Sequence, residues 1–203
     1  MSQQLFKQDI LFYQRFLKAN GFYADILDGD WGPNTNAADK AFEEKYLQLK
    51  KEFGGFDLRS EGNIATLAPD VQELARAFMK RVLEAGHDVK IISGTRTYAQ
   101  QNELFRQGRF GNAGPIVTKA RGGFSNHNFG LAWDIGLFDG GQYITKDSKY
   151  KTIGALVNNR WDKLEWGGNW VNFKDYPHYE HSTIVGSVSA VRNLFELGNP
   201  YLL

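Results

Sequence analysis

The chain has 203 residues, 42% hydrophobic and 23% charged, an ordinary globular make-up with length for one good core, or for a catalytic domain plus a small module. Lysine and arginine number 24 against 23 aspartate and glutamate, so a net charge of +1 gives no electrostatic reason to expect nucleic acid. Cysteine is absent, which removes disulfides and thiolate metal sites and leaves the redox compartment open.

The opening run MSQQLFKQDILFYQRFLKANG carries charges inside its apolar pattern, so it reads neither as a signal peptide nor as a membrane span. If the protein acts outside a cytoplasm, something else must release it. Phe6, Ile10, Tyr13 and Leu17 stand at helical spacing over residues 6–19, with Gly21 as a stop. Asp28 to Pro33 is a turn signature, and the spacing of Asp25, Asp28 and Asp30 does not fit a calcium-binding EF-hand loop. Thr35 to about Lys51 reads as a second helix with Ala37, Ala38, Ala41, Phe42 and Tyr46 on its apolar side. Gly54-Gly55 through Gly62-Asn63 is polar and glycine-bearing, which sets a domain boundary there: residues 1–55 as a helical module, 62–203 as the larger domain.

Leu67 to about Ala85 is a strongly amphipathic helix, started by Pro69 and Asp70 and stopped by Gly86. Val89 to Ile92 is a strand, Ser93 to Thr97 a loop and Tyr98 to Gln107 a helix. The loop from Gly108 to Gly123 holds five glycines with Arg109 and Arg121, and loops this long tend to carry function. Leu131 to Phe138 alternates as a strand, and Asp139 to Gln142 turns into Tyr143-Ile144. Asp147 to Arg160 reads as a helix, 161–170 and 175–182 as extended chain, and Val188 to Leu197 as a closing helix. Helices and antiparallel strands in no βαβ order predict an α+β fold, a small antiparallel sheet with helices, preceded by the helical module.

The candidate chemistry lies in two stretches. Ser125-Asn126-His127-Asn128-Phe129-Gly130-Leu131-Ala132-Trp133-Asp134 sets His127 and Asp134 seven residues apart, and Asp175-Tyr176-Pro177-His178 adds a carboxylate and an imidazole. Two imidazoles and one carboxylate can hold a zinc ion and leave its fourth position to water. Extended chain from His127 to Asp134 would span roughly 23 Å, so it must fold back, and Asn128-Phe129-Gly130 suits a turn. Strand alternation turns Asp134 away from the Trp133 face, between small Ala132 and Gly136. His181, three residues beyond His178 in an extended segment, is expected on the opposite face and not as a ligand.

Two family resemblances cover these residues. Gln14 to Tyr23, Leu27 to Thr35 and Ala37 to Phe42 resemble the peptidoglycan-binding domain 1 family, which implies cell-wall binding for residues 5–46. From about residue 67 to 182 the chain resembles the zinc D-alanyl-D-alanine carboxypeptidase family, which includes the L-alanyl-D-glutamate endopeptidases of phage endolysins. The resemblance rests on Ser93-Gly94-Thr95-Arg96-Thr97 with Gln101, Ser125-x-His127-x6-Asp134, and Trp166-Gly167-Gly168-Asn169-Trp170 ahead of Asp175-Tyr176-Pro177-His178.

The resemblance implies a hedgehog/D-Ala-D-Ala peptidase-like fold and His127, Asp134 and His178 as Zn2+ ligands. It further implies Asp175 as general base, with Glu165 and Glu180 as rivals, and Arg96 as the group that meets an anion or developing charge. Ser125 is expected to hydrogen-bond near the metal, and Trp170 to line a substrate groove. The carboxypeptidase branch has Glu where this chain has Asp175, so the endopeptidases are the better match. The implied activity is a monomeric zinc peptidase cutting the stem peptide of peptidoglycan, most specifically between L-Ala and D-Glu, with no nucleic-acid or membrane partner. Together the two resemblances imply the layout of an antimicrobial phage lysis enzyme (endolysin), expected to be made in a host cytoplasm and released to the wall. The alternatives are a D-Ala-D-Ala carboxypeptidase and a wall-binding protein without activity.

Overall fold

The computed structural model describes residues 7–158, 161–182 and 186–202. Its contacts cluster into two compact units, Met1–Lys45 with Arg96–Phe129 and Thr183–Leu203, and Tyr46–Thr95 with Gly130–Ser182. The two-module division at residues 55–62 concerns motifs along the chain. In space, the N-terminal helices share a unit with later segments.

In the first unit, α1 (Lys7–Ala19) sends Phe12 against Tyr98 of α5 (Tyr98–Arg106) and Phe195 of α7 (Val188–Leu197), with ring centroids 5.6 and 5.1 Å away. Phe16 meets Phe42 edge-on at 5.3 Å, on α2 (Pro33–Phe53). Gln14 is fully buried and organises the turn between the two helices. Its amide donates to the Asp28 carboxylate (2.8 Å) and the Asp30 carbonyl (3.0 Å), and its oxygen accepts from the Gly29 N–H at 2.8 Å. Gly29 sits at φ +73°, where a Cβ would meet the Lys7 carbonyl oxygen at 2.6 Å, so glycine is required twice over. The acidic residues here build a turn, as their spacing predicts. The Thr97 side chain and Gln100 cap α5 reciprocally, and the left-handed Gly198 (φ +69°) ends α7.

The second unit is a five-stranded antiparallel sheet in the order β1-β2-β5-β4, with β3 also on β2. The strands are β1 (Asp88–Ser93), β2 (Ala132–Asp139), β3 (Gln142–Ile144), β4 (Leu164–Trp166) and β5 (His178–His181). One face buries Trp133 and Tyr179 against Phe78 of α4 (Pro69–Glu84), at 5.8 and 4.5 Å. α6 (Asp147–Val157) packs on α4 as well. α6 ends at Val157 with Asn158 as its C-cap, short of the expected Arg160, and residues 159–160 lie outside the described residues. Within the expected extended segment 161–170, only β4 is strand, and the chain then tightens into a 3-10 turn at Gly167–Asn169. The cause is Trp166. Its ring lies where a Cβ on Gly154 or Gly168 would fall, at 2.3 and 2.2 Å, and its Nε1–H donates to the Tyr176 carbonyl at 2.9 Å. Trp166 is therefore core rather than groove.

The glycine-bearing boundary expected at 54–63 is in part a helix, α3 (Leu58–Ile64), started by the Asp57 carboxylate accepting from the Arg59 and Ser60 amides. Its polar sequence hides a buried ion pair. Arg76 donates to both Glu61 oxygens at 2.9 and 3.0 Å, and Tyr46 Oη donates to Glu61 at 2.7 Å. Burial pushes the Glu61 carboxyl up, but bonds from Arg76, Tyr46 and the Phe56 amide outweigh it and hold it below its usual range. Arg76→Met is expected to strand that carboxylate and cost about 3–5 kcal/mol, a melting-temperature fall on the order of 10 °C. Glu61→Leu with Arg76→Met should recover most of it, and a thermal melt of both variants checks this. An unchanged melting temperature for Arg76→Met would contradict the account. With its folded pKa depressed, Glu61 contributes fully above the unfolded carboxyl range and loses the contribution as pH falls through the folded value.

Candidate metal centre

β2 and β5 pair antiparallel with Asp134 directly opposite His178 and Trp133 opposite Tyr179. Alternation puts the aromatic pair on the α4 side and turns Asp134 and His178 to the other side. His178 Nδ1 lies 3.1 Å from Asp134 Oδ1, and its Nε2 lies 2.8 Å from Glu180 Oε2, two residues on along the same strand side. His127 sits in a 3-10 turn (Asn126–Phe129), followed by Gly130 at φ +70°, which reverses the chain into β2. Ligand atoms of His127, Asp134 and His178 all come within 4.8 Å of one another. The fold-back that the seven-residue spacing demanded is present.

The donor set fits a metal. Four ligands at ~2.1 Å in a tetrahedron lie about 3.4 Å apart, so three donors grouped this closely need little movement. Burial alone would lower the His178 pKa, but its bonds to Asp134 and Glu180 outweigh burial and raise it to about 10. The two carboxylates thus create a spot that favours positive charge, whether proton or cation. With Nε2 engaged by Glu180, Nδ1 is the nitrogen left to face Asp134 and the metal position.

The second stretch is shaped by close approach. The His178 amide donates to the Asp175 carbonyl at 3.3 Å, closing a turn over Tyr176-Pro177, and the Asp175 amide donates to the Gly167 carbonyl at 3.1 Å. A Cβ on Gly167 would lie 2.5 Å from the Asp175 carbonyl oxygen and 3.1 Å from His178 Cβ. Asp175 is half-buried and is not one of the three grouped residues. Glu165, opposite Glu180 across β4 and β5, accepts from Trp170 Nε1 at 2.6 Å, and Glu180 holds His178. The Trp170 ring lies 4.9 Å from that of His178, tilted by 46°, and is partly exposed. His181 is buried, at 4% exposure, and is not among the three grouped residues.

Arg96 is tied to the ligand turn through its backbone. Its N–H donates to the His127 carbonyl at 3.0 Å, and its carbonyl accepts from Asn128 Nδ2 at 2.8 Å. Asn128 Oδ1 accepts from the Gly123 N–H at 2.9 Å, so one fully buried asparagine joins Arg96 and Gly123 to the turn that carries His127. The sequence offers Asn128 only as part of the Asn128-Phe129-Gly130 turn, because its bond to Arg96 comes from a segment 32 positions away. Ser125 contributes its carbonyl, which accepts from the Asn128 N–H at 2.9 Å and closes the turn.

Two imidazoles and a carboxylate brought together from a turn and two paired strands define a candidate metal centre. Residues 118–181 match a family described as D-alanyl-D-alanine carboxypeptidase. The peptidoglycan L-alanyl-D-glutamate endopeptidase CwlK of Bacillus subtilis (strain 168) is 41% identical over 125 aligned positions, covering 56% of this chain and 72% of that protein. The crystal structure of the Serratia marcescens L-Ala D-Glu endopeptidase ChiX aligns with a TM-score of 0.49 at 26% identity, covering 63% of this chain and 89% of that one. The chain belongs to this peptidase family and is a metallopeptidase.

Proposed function

We propose that the chain is a zinc endopeptidase of bacterial peptidoglycan that hydrolyses the stem peptide between L-alanine and D-glutamate. The observation that carries the reading is the grouping of His127, Asp134 and His178 within 4.8 Å, with nitrogen and oxygen donors suited to zinc. The bond is suggested by the 41% identical relative, whose name states it. Bound there, zinc would lower the pKa of a water and polarise the scissile carbonyl.

In this reading His127, Asp134 and His178 are the ligands and Glu180 orients His178. Asp175 takes the proton of the attacking water and passes it to the leaving amine of D-glutamate. Arg96 offers a fixed cation to a substrate carboxylate or to the charge developing on the carbonyl oxygen. Trp170, beside His178, walls the peptide, and Ser125 supports the ligand turn. Residues 1–55 act as the wall-binding part, raising the local concentration of substrate. The proposal extends to a phage endolysin acting as a monomer, made in a host cytoplasm and freed to the wall at lysis. Among the described residues no helix is long and apolar enough to cross a membrane.

The family description favours one second reading, removal of the terminal D-alanine. Mass spectrometry of muropeptides after digestion of purified sacculi separates the two. Peptides beginning at D-glutamate are the expected products. Loss of a single C-terminal D-alanine, with the L-Ala–D-Glu bond intact, would replace the proposal by the carboxypeptidase reading.

A further inference from the structure

Residues 104–133 contain Arg106, Arg109, Lys119 and Arg121 and no acidic residue, a net +4 in a chain of net +1. Within this segment lies an open pocket of about 590 Å3 lined by Phe105, Lys119, Ala120, Arg121 and Phe124. The Arg121 guanidinium stands 5.1 Å from the centre of the Phe105 ring, and that of Arg109 stands 4.2 Å from the same ring. Arg192 of α7 lies 4.9 Å from the Phe124 ring. Aromatic faces thus hold guanidinium groups around one opening.

The wall of the pocket is built rather than loose. Fully buried Gln101 donates to the Ala120 carbonyl at 2.9 Å, and the Gly122 N–H donates to Asn102 Oδ1 at 2.9 Å. A Cβ on Gly122 would lie 2.5 Å from the Tyr98 carbonyl oxygen, so the loop is seated directly on α5. Arg109 donates to the Phe105 and Thr118 carbonyls at 2.6 and 3.0 Å, which fixes the loop's other end.

The pocket also has a place in the reaction geometry. Phe124 precedes the ligand His127 by three residues, so their Cα atoms are at most about 11 Å apart. The pocket therefore adjoins, along the chain, the turn that carries His127. In a stem peptide, D-glutamate joined through its side-chain carboxyl keeps its α-carboxylate free, one residue beyond the scissile bond.

We propose that this pocket is a carboxylate subsite in which Lys119 and Arg121 receive the free α-carboxylate of the stem D-glutamate. The inference rests on the endopeptidase reading for its substrate but not for its test. The paired cations supply the charge, and the arginine fork suits two carboxylate oxygens. The subsite selects unamidated stems and seats the leaving side of the peptide.

The test is a binding titration of the full-length protein, followed by calorimetry or by NMR shifts. The probes are a γ-D-Glu-L-Lys-D-Ala peptide carrying either a free α-carboxylate or an α-carboxamide. Wild type should bind the acid about tenfold tighter than the amide, a difference screened by salt. Lys119→Gln with Arg121→Gln should abolish that preference and leave amide binding and the melting temperature unchanged. Equal wild-type affinity for the two peptides, or a preference that survives the double substitution, would overturn the subsite. So would poly(glycerol phosphate) binding through Lys119 and Arg121 without any peptide preference, which would make the anion a wall phosphate polymer. Because no bond is cut in this assay, the subsite can fail while muropeptide cleavage stands. It can equally stand if cleavage is found at a different bond.

Discussion

Replacing His178 by alanine is expected to remove the metal and the turnover together. His178 faces Asp134 at 3.1 Å from one nitrogen and is steadied by Glu180 at 2.8 Å from the other, so its loss takes away one of three ligands and leaves two carboxylates facing each other without a cation. Loss of a metal's contribution to the transition state is worth several kcal/mol, so turnover should drop on the order of 10³-fold or more. His127→Ala should behave alike. Glu180→Gln should be milder, weakening metal affinity by roughly 10–100-fold, because it disturbs only the orientation of the imidazole. Bound zinc per chain, affinity against a competing chelator, and turnover on a defined muropeptide give the three readouts. Full activity in a metal-free preparation would remove the metal from the account.

The second large effect is expected at Asp175. Asp175→Asn should keep zinc content and melting temperature while turnover falls by ~10²-fold or more. The backbone at this position is held by the Gly167 carbonyl and by the turn to His178, and an amide of the same shape leaves those bonds in place. Glu165→Gln and Glu180→Gln should not reproduce that signature. Glu165 is bound by Trp170, so its change should loosen the Trp170 ring. Glu180 is bound by His178, so its change should appear in metal affinity first. An Asp175→Asn protein near wild-type turnover, beside a dead but zinc-loaded Glu165→Gln, would reassign the base to Glu165.

These expectations use features that differ in how far the sequence disclosed them. The alternation of Leu131 to Phe138 and the spacing of His127, Asp134 and His178 are local patterns, and β2 and the ligand group follow them closely. α7 runs over the same residues as its hydrophobic period, because Ser187 and Gly198 mark its ends chemically. The helix at Leu58–Ile64 was not legible, since Glu61 counts as polar until Arg76 and Tyr46 arrive from other segments. The core position of Trp166 depends on Gly154 and Gly168, which make the space its ring fills, and a glycine does not announce which ring it admits. Gln14 and Gln101 stood in the sequence only as parts of family motifs and Asn128 only as a turn former, yet each is fully buried and satisfies carbonyls or amides of a loop that has no ladder of its own. What the sequence withheld is mostly such long-range polar pairing.

The pairing of β2 with β5 ties hydrolytic competence to the history of the chain. Asp134 and His178 are 44 residues apart and meet only when those two strands lie side by side. A chain still being synthesised, with β2 made and β5 not, holds two of its three donors and pays the closure entropy of that long loop before the third arrives. Tight zinc retention, and with it the capacity to cut, is thus expected late in folding rather than early. The same pairing makes the metal a gauge of register. A slip of one residue between the strands would swing His178 round to the side of Tyr179 and Trp133. Damage to that aromatic layer should therefore appear as leaking zinc while the helical signal is still intact.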